Sequence, residues 1–165
     1  MNLYIVRHGI AAPRSALGLP DEDRPMTEEG VLKMKKIARG LCALGIVPGI
    51  ILSSPLVRAK QTAEILLEAF KFDAEKLKLT PALAPSGSRS QVYQEINAYS
   101  KLESVMLVGH QPSLGEIAGE IAWGSADHYV ELKKGGACAL DVEELLPTPR
   151  GTLLWLLTPA ILRAL

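Results

Sequence analysis

"LYIVRHG", residues 3–9, is an unbroken apolar run that ends on an arginine and a histidine in front of a glycine. Consecutive apolar residues without polar alternation mark a strand buried on both faces, as in a parallel sheet covered by helices. A buried strand has no reason to finish on two polar side chains unless something at its end satisfies them.

Two other stretches repeat the pattern. "GIILSSP", residues 49–55, predicts a buried strand over 50–52 that runs into Ser53 and Ser54, with Arg58 just beyond. "VMLVGH", residues 105–110, predicts another over 105–108 that runs into His110.

Helical patterns fill the intervals. After a loop over residues 9–26, Thr27 caps a helix with Glu28 and Glu29 in its first turn, where carboxylates meet the positive end of the helix dipole. Val31, Met34, Ala38 and Leu41 form its apolar face, and Gly45 closes it. Ser54 and Pro55 read as cap and first residue of a second helix, with Arg58 in its first turn and Ala59, Ala63, Leu66 and Phe70 facing inward. A short stretch at 77–79 and the turn "APSGS" (84–88) lead to a weaker helix near 90–98. Pro112 opens another, with Leu114, Ile117, Ala118 and Ile121 inward.

The last third changes period. Cys138, Leu140 and Val142 alternate with less apolar neighbours, "PTPRG" turns the chain, and "TLLWLL" follows, which predicts an antiparallel hairpin and then a short helix over 159–165. The expected fold is α/β: a three-layer sandwich whose central sheet is mostly parallel and carries an antiparallel C-terminal hairpin. With 165 residues, the chain is large enough for one ordinary core and is read as a single domain, 1–165, without a large lid insertion.

Eighteen basic against eighteen acidic residues leave no net field, so neither nucleic acid nor a membrane is expected as a partner and any basic site must be local. The start lacks a signal-peptide pattern and no apolar run reaches the ~20 residues of a membrane span, so a cytoplasmic location is expected. Cys42 and Cys138 lack metal or redox spacing and are read as buried reduced thiols, while His128 is read as a surface histidine.

In open α/β sheets ligands bind outside the carboxyl ends of the strands. There, Arg7, His8, Arg58 and His110 would converge in one crevice. Burying such groups unpaired costs several kcal/mol, roughly, unless a partner arrives. A phosphoryl group is the natural partner, because the guanidinium fork matches two of its oxygens and helix N-terminal amides add donors. A metal held by the histidines would be repelled by the arginines, and no metal or cofactor is expected. There is no Walker lysine, no G-x-S-x-G elbow and no cysteine with a phosphate-cradling arginine, and "DED" at 21–23 does not follow a buried strand. Histidine remains as the nucleophile.

"VRHG", "SSPLVRAKQTAEIL" and "LVGHQP", in this order, resemble the histidine phosphatase superfamily with its phosphoglycerate mutase-like fold. The short length, "RHGIAAP", "DEDRPMTEEG" and "LAPSGS" are most similar to its small bacterial branch, the SixA-type phosphohistidine phosphatases. The resemblance implies that His8 attacks phosphorus and becomes a transient phosphohistidine, with Arg7, Arg58, His110 and Gly9 holding the phosphoryl oxygens. Attack requires a neutral ring nitrogen, so the other nitrogen must donate to a fixed acceptor, for which a backbone carbonyl in the Gly9 turn is expected.

Many relatives supply a carboxylic acid to protonate the leaving oxygen, some directly after the second histidine, where this chain has Gln111. Asp21 and Asp23 remain as candidates for proton donor or substrate contact, with Glu95 more distant. Imidazole leaves from a protonated phosphohistidine as a neutral base, close to its own pKa of ~6.5, and so needs a strong acid less than an alkoxide does. The expected function is removal of phosphate from phosphohistidine on a protein, of histidine-phosphotransfer type and hence in signal transduction. The alternatives are a phosphomonoesterase acting on a small metabolite and a noncatalytic phosphate-binding module. Oligomeric state is not legible.

Overall fold

The computed structural model describes residues 1–14 and 18–165, so residues 15–17 of the expected 9–26 loop lie outside the described part. In chain order the elements are β1 (Asn2–Arg7), a 3-10 turn at Asp21–Asp23, α1 (Glu28–Ala43), β2 (Ile51–Ser53), α2 (Val57–Ala69), β3 (Leu77–Leu79), α3 (Arg89–Ala98), β4 (Ser104–Gly109), α4 (Ser113–Trp123), β5 (Ala137–Glu144), β6 (Arg150–Leu157) and α5 (Pro159–Leu162).

The six strands form one mixed sheet in the order β3-β2-β4-β1-β5-β6. β3, β2, β4 and β1 run parallel, whereas β5 pairs antiparallel with both β1 and β6. The α/β architecture with a C-terminal hairpin is therefore the one the sequence predicts. The stretch at 77–79 turns out to be an edge strand beside β2.

Both faces of the sheet are covered, which is why its central strands read as continuous apolar runs. On one side Leu3, Ile5, Leu52, Val105 and Leu107 pack with Val92 and Ile96 of α3 and Leu114, Ile117 and Ile121 of α4. On the other, Val6, Ile51, Met106 and Val108 pack with Met34, Ile37 and Leu41 of α1, Ala63 and Leu66 of α2, and Leu162 of α5. The Thr27 hydroxyl accepts from Gly30 N–H at 2.9 Å, the cap expected for α1. Gly45 has φ +74°, a conformation costly for any residue with a Cβ, and ends that helix.

The start of α2 corrects the sequence reading. Ser54 and Pro55 precede the helix without capping it; Leu56 is the cap residue and offers no side-chain bond. The Ser54 hydroxyl accepts from Leu56 N–H at 3.3 Å and also meets the His110 ring. Phe70 is the C-cap residue, only partly buried against the core. Cys138 is buried as expected, but Cys42 is partly exposed, and both thiols are free. His128 is exposed.

Pairing registers bring the strand ends together. Arg7 lies opposite Gly109, and Ser53 lies opposite Val108. His8 N–H donates to Gly109 O at 3.1 Å and Ser54 N–H to Val108 O at 2.9 Å. The residues after β1, β2 and β4 therefore share one rim of the sheet.

Candidate active site

At that rim His8 and His110 face each other, ring centroids 5.0 Å apart and planes tilted by 53°. His8 is 6% exposed and His110 3%. His8 Nδ1 lies 2.7 Å from the carbonyl oxygen of Gly9. A carbonyl can only accept, so Nδ1 carries the hydrogen and Nε2 of the neutral ring keeps its lone pair. The turn that provides this carbonyl is clamped from α2, where Thr62 Oγ1 accepts from Gly9 N–H at 3.0 Å and donates to Arg58 O at 2.8 Å. Both backbone groups of Gly9 are thus engaged within the protein. A side chain at Gly9 would run into Met26 Sδ, with its Cβ at 2.6 Å.

His110 Nε2 lies 2.8 Å from Ser54 Oγ. When the hydroxyl donates to this nitrogen, the ring proton sits on Nδ1. Arg7 donates through Nη1 to Leu132 O at 2.7 Å. Arg58 donates through Nη1 to Asp21 O at 2.6 Å and through Nη2 to Asp21 Oδ2 at 3.1 Å. Each of the three side chains is thus tied to a structural partner through a distal nitrogen. Arg7 Nε, Arg58 Nε and His110 Nδ1 are buried and have no hydrogen-bond partner among the described residues. A buried polar group left unpaired costs about 1–3 kcal/mol, so three of them at one rim describe a place built for a ligand with several acceptors.

Electrostatics agrees with the geometry. Burial first, and then the positive surroundings of His110, Arg58 and Arg7, push His8 down to about 3 against the pull of the Gly9 bond. His110 is pushed down to about 4, by burial and then by Arg58, with Asp21 opposing. Both rings are therefore neutral at pH 7, and the positive charge of the rim belongs to the two guanidinium groups. Burial lowers Arg7, with Tyr129 and Glu131 opposing, and lowers Arg58, with Asp21 opposing.

Of the two acids singled out in the sequence, Asp21 is drawn into the cationic cluster. Its carboxylate accepts from Arg24 Nη2 at 2.8 Å, Arg14 Nε at 3.0 Å and Arg58 Nη2 at 3.1 Å. Partial burial alone would raise its pKa, but Arg24 and Arg58 outweigh that and bring it to about 2. It is an ionised acceptor that holds Arg58, with no proton to lend near neutrality. Asp23 is exposed and makes no side-chain hydrogen bond among the described residues. Glu95 bonds Thr80 Oγ1 at 2.5 Å, not any rim residue. Gln111 donates to Val130 O at 2.9 Å and accepts from Gly115 N–H at 2.8 Å, so its amide is spent on anchoring α4 and the segment beside it.

Sequence reasoning missed Ser54 as the partner of His110 and Thr62 as the clamp on the Gly9 turn. The signal for Ser54 was present in "SSP" but pointed to a helix cap. Thr62, on the inner side of α2, gave none.

A neutral imidazole with a fixed tautomer, beside two guanidinium groups and a second neutral ring, can place a lone pair and an array of donors around one tetrahedral oxyanion. Residues 3–84 match the model of the histidine phosphatase superfamily, branch 1. The chain is 42% identical over 142 residues to an uncharacterized protein of Picosynechococcus, covering 85% of this chain and 84% of that one. It is 30% identical over 130 residues to the phosphohistidine phosphatase SixA homolog of Haemophilus influenzae, covering 73% of this chain and 77% of the relative. A structure of the protein histidine phosphatase SixA complexed with tungstate superimposes with a TM-score of 0.85 at 25% identity, covering 97% and 98% of the two chains. The match in sequence, fold and length together makes this chain a phosphatase of the histidine phosphatase superfamily, of its SixA type.

Proposed function

We propose that this chain hydrolyses phosphohistidine on a protein of histidine-phosphotransfer type, through a transient phosphohistidine on His8. The observation that carries the reading is the trio of unpartnered buried nitrogens, Arg7 Nε, Arg58 Nε and His110 Nδ1, beside a histidine whose Nδ1 is tied to Gly9 O. His8 Nε2 forms a bond to phosphorus as the substrate's phosphorus–nitrogen bond breaks, and the electron pair of that bond goes to the departing ring. Arg7, Arg58 and His110 hold the equatorial oxygens, where charge already aimed at the transition state lowers the barrier without reorganisation. Water then attacks the phosphoenzyme, releases phosphate and restores neutral His8.

The leaving group supports the phosphohistidine reading. The carboxylate that touches the rim, Asp21, is held ionised, and the Gln111 amide is bonded to Val130 O and Gly115 N–H. A departing imidazole, already protonated on its distal nitrogen, needs no acid from the enzyme, whereas an alkoxide does. His110 also opens on a cleft of about 670 Å³, room for more than a phosphoryl group. We take residues 1–165 as one domain acting in the cytoplasm; no helix among the described residues is long and apolar enough to cross a membrane.

Hydrolysis of a phosphohistidine protein, measured beside sugar phosphates and nucleotides, tests the substrate. A preference for the phosphohistidine protein is expected, and a large preference for the esters overturns it in favour of a small-molecule phosphomonoesterase.

A further inference from the structure

The cleft beside His110 is lined by α3, α4 and the β5–β6 connection, and it contains a charged cluster that the chemistry above does not use. Arg89 donates through Nη1 to Glu116 at 2.6 Å and through Nε to Glu120 at 3.1 Å, and the Tyr93 hydroxyl donates to Glu120 at 2.6 Å. All three bonds end on one oxygen, Oε2, of each carboxylate. Among the described residues neither Oε1 receives a bond.

One guanidinium facing two carboxylates leaves the cluster net negative. The side chains are 37%, 31% and 27% exposed for Arg89, Glu116 and Glu120, so the charges meet solvent in the cleft. At that exposure such pairs add little to stability, while low-dielectric walls focus their field onto whatever enters. The same cleft is lined by His110, nearly fully buried, whose Nδ1 has no partner among the described residues. The cleft therefore joins an oxyanion position to an anionic ledge.

We propose that the Glu116–Glu120 ledge receives a basic side chain, lysine or arginine, that the phosphorylated partner displays close to its phosphohistidine. This rests on the protein-substrate reading above and extends it to the partner's surface. A dianionic phosphoryl group flanked by a cation is complementary in sign, point for point, to a cationic rim flanked by a carboxylate pair. The free Oε1 atoms are the acceptors such a cation requires. Arg89 holds both carboxylates in place, so little side-chain freedom is lost on docking. Substrates that carry further negative charge, such as nucleotides and sugar bisphosphates, meet repulsion at the same ledge.

The test is the double variant Glu116→Gln/Glu120→Gln, assayed on a phosphohistidine-bearing protein and on p-nitrophenyl phosphate. The ratio of the two kcat/KM values, protein over ester, is expected to fall about tenfold, mainly through KM on the protein. A ratio equal to that of the unmodified enzyme overturns the ledge. Failure of the unmodified enzyme to act on any phosphohistidine protein overturns the substrate reading instead. If the double variant does not fold, a salt titration of the unmodified enzyme decides. A steeper decline of kcat/KM for the protein than for the ester supports the ledge, and equal slopes refute it.

Discussion

Asp21 holds Arg58 twice, through its main-chain oxygen at 2.6 Å from Nη1 and through its carboxylate at 3.1 Å from Nη2. The double hold turns a long, flexible side chain into a fixed one and leaves Nε as its free buried donor. Asp21→Ala removes the carboxylate half of the hold and is expected to lower kcat/KM about tenfold, the cost of roughly 1.4 kcal/mol of lost preorganisation. Orthovanadate inhibition should weaken in parallel. Because Asp21 is ionised far below neutrality, the alkaline limb of the pH–rate profile should not move. A shift of that limb would mean that Asp21 acts as a proton donor.

Under the proposed mechanism His8→Ala removes the nucleophile and Arg58→Ala one transition-state donor, and the two should differ in kind. In the first, turnover and the acid-labile radiolabelled phosphoenzyme are expected to vanish together. In the second, the phosphoenzyme still forms but the rate falls about 10²–10³-fold. Residual hydrolysis through a labelled intermediate in His8→Ala would place the covalent step on another residue.

Thr62→Val is nearly isosteric but leaves Gly9 N–H without its acceptor. A buried donor orphaned in this way costs about 1–3 kcal/mol, which should be visible as a lower urea midpoint at unchanged m-value. The turn that orients His8 loosens at the same time, so kcat should decline as well. Unaltered stability would show that the amide finds another partner.

The histidine pair makes stability depend on pH in a defined window. Burial, followed by the positive neighbours, holds His8 at about 3 and His110 at about 4 in the folded chain, against 6.5 in the unfolded one. Between those values the unfolded chain binds more protons, so stability falls as pH drops from 6.5 towards 4. Above 6.5 both states are neutral and the pair contributes no slope. Asp21 adds its own loss lower down, between its ordinary 3.8 and about 2. Thermal unfolding from pH 8 to pH 4 should show a transition temperature that declines only below the upper bound, with a shallower decline in His8→Asn. An equally steep decline in that variant would assign the effect elsewhere.

The strands carrying the rim were legible because each is buried on both faces. Leu3 and Ile5 serve one core while Val6 serves the other, and a run this short with turn signals after it reads as a strand. The tie from His8 to Gly9 was legible because the two residues are adjacent. Ser54 was not, because its hydroxyl meets a ring 56 positions away while the local "SSP" pattern advertises a cap. Thr62 looks like any inward threonine of a helix until Gly9, 53 positions earlier, folds onto it. Arg89 and its carboxylates sit on separate helices, so neither helix's spacing discloses the cluster.

β1 lies inside the sheet between β4 and β5, both of which come more than ninety positions later in the chain. During synthesis the segment bearing His8 emerges well before either strand it pairs with. Long-range parallel pairing is slow to form, since loop closure must precede its reward. A nascent chain that stops short of β4 thus carries the imidazole of His8 without His110 across from it, and the rim can close only once both strands have been made.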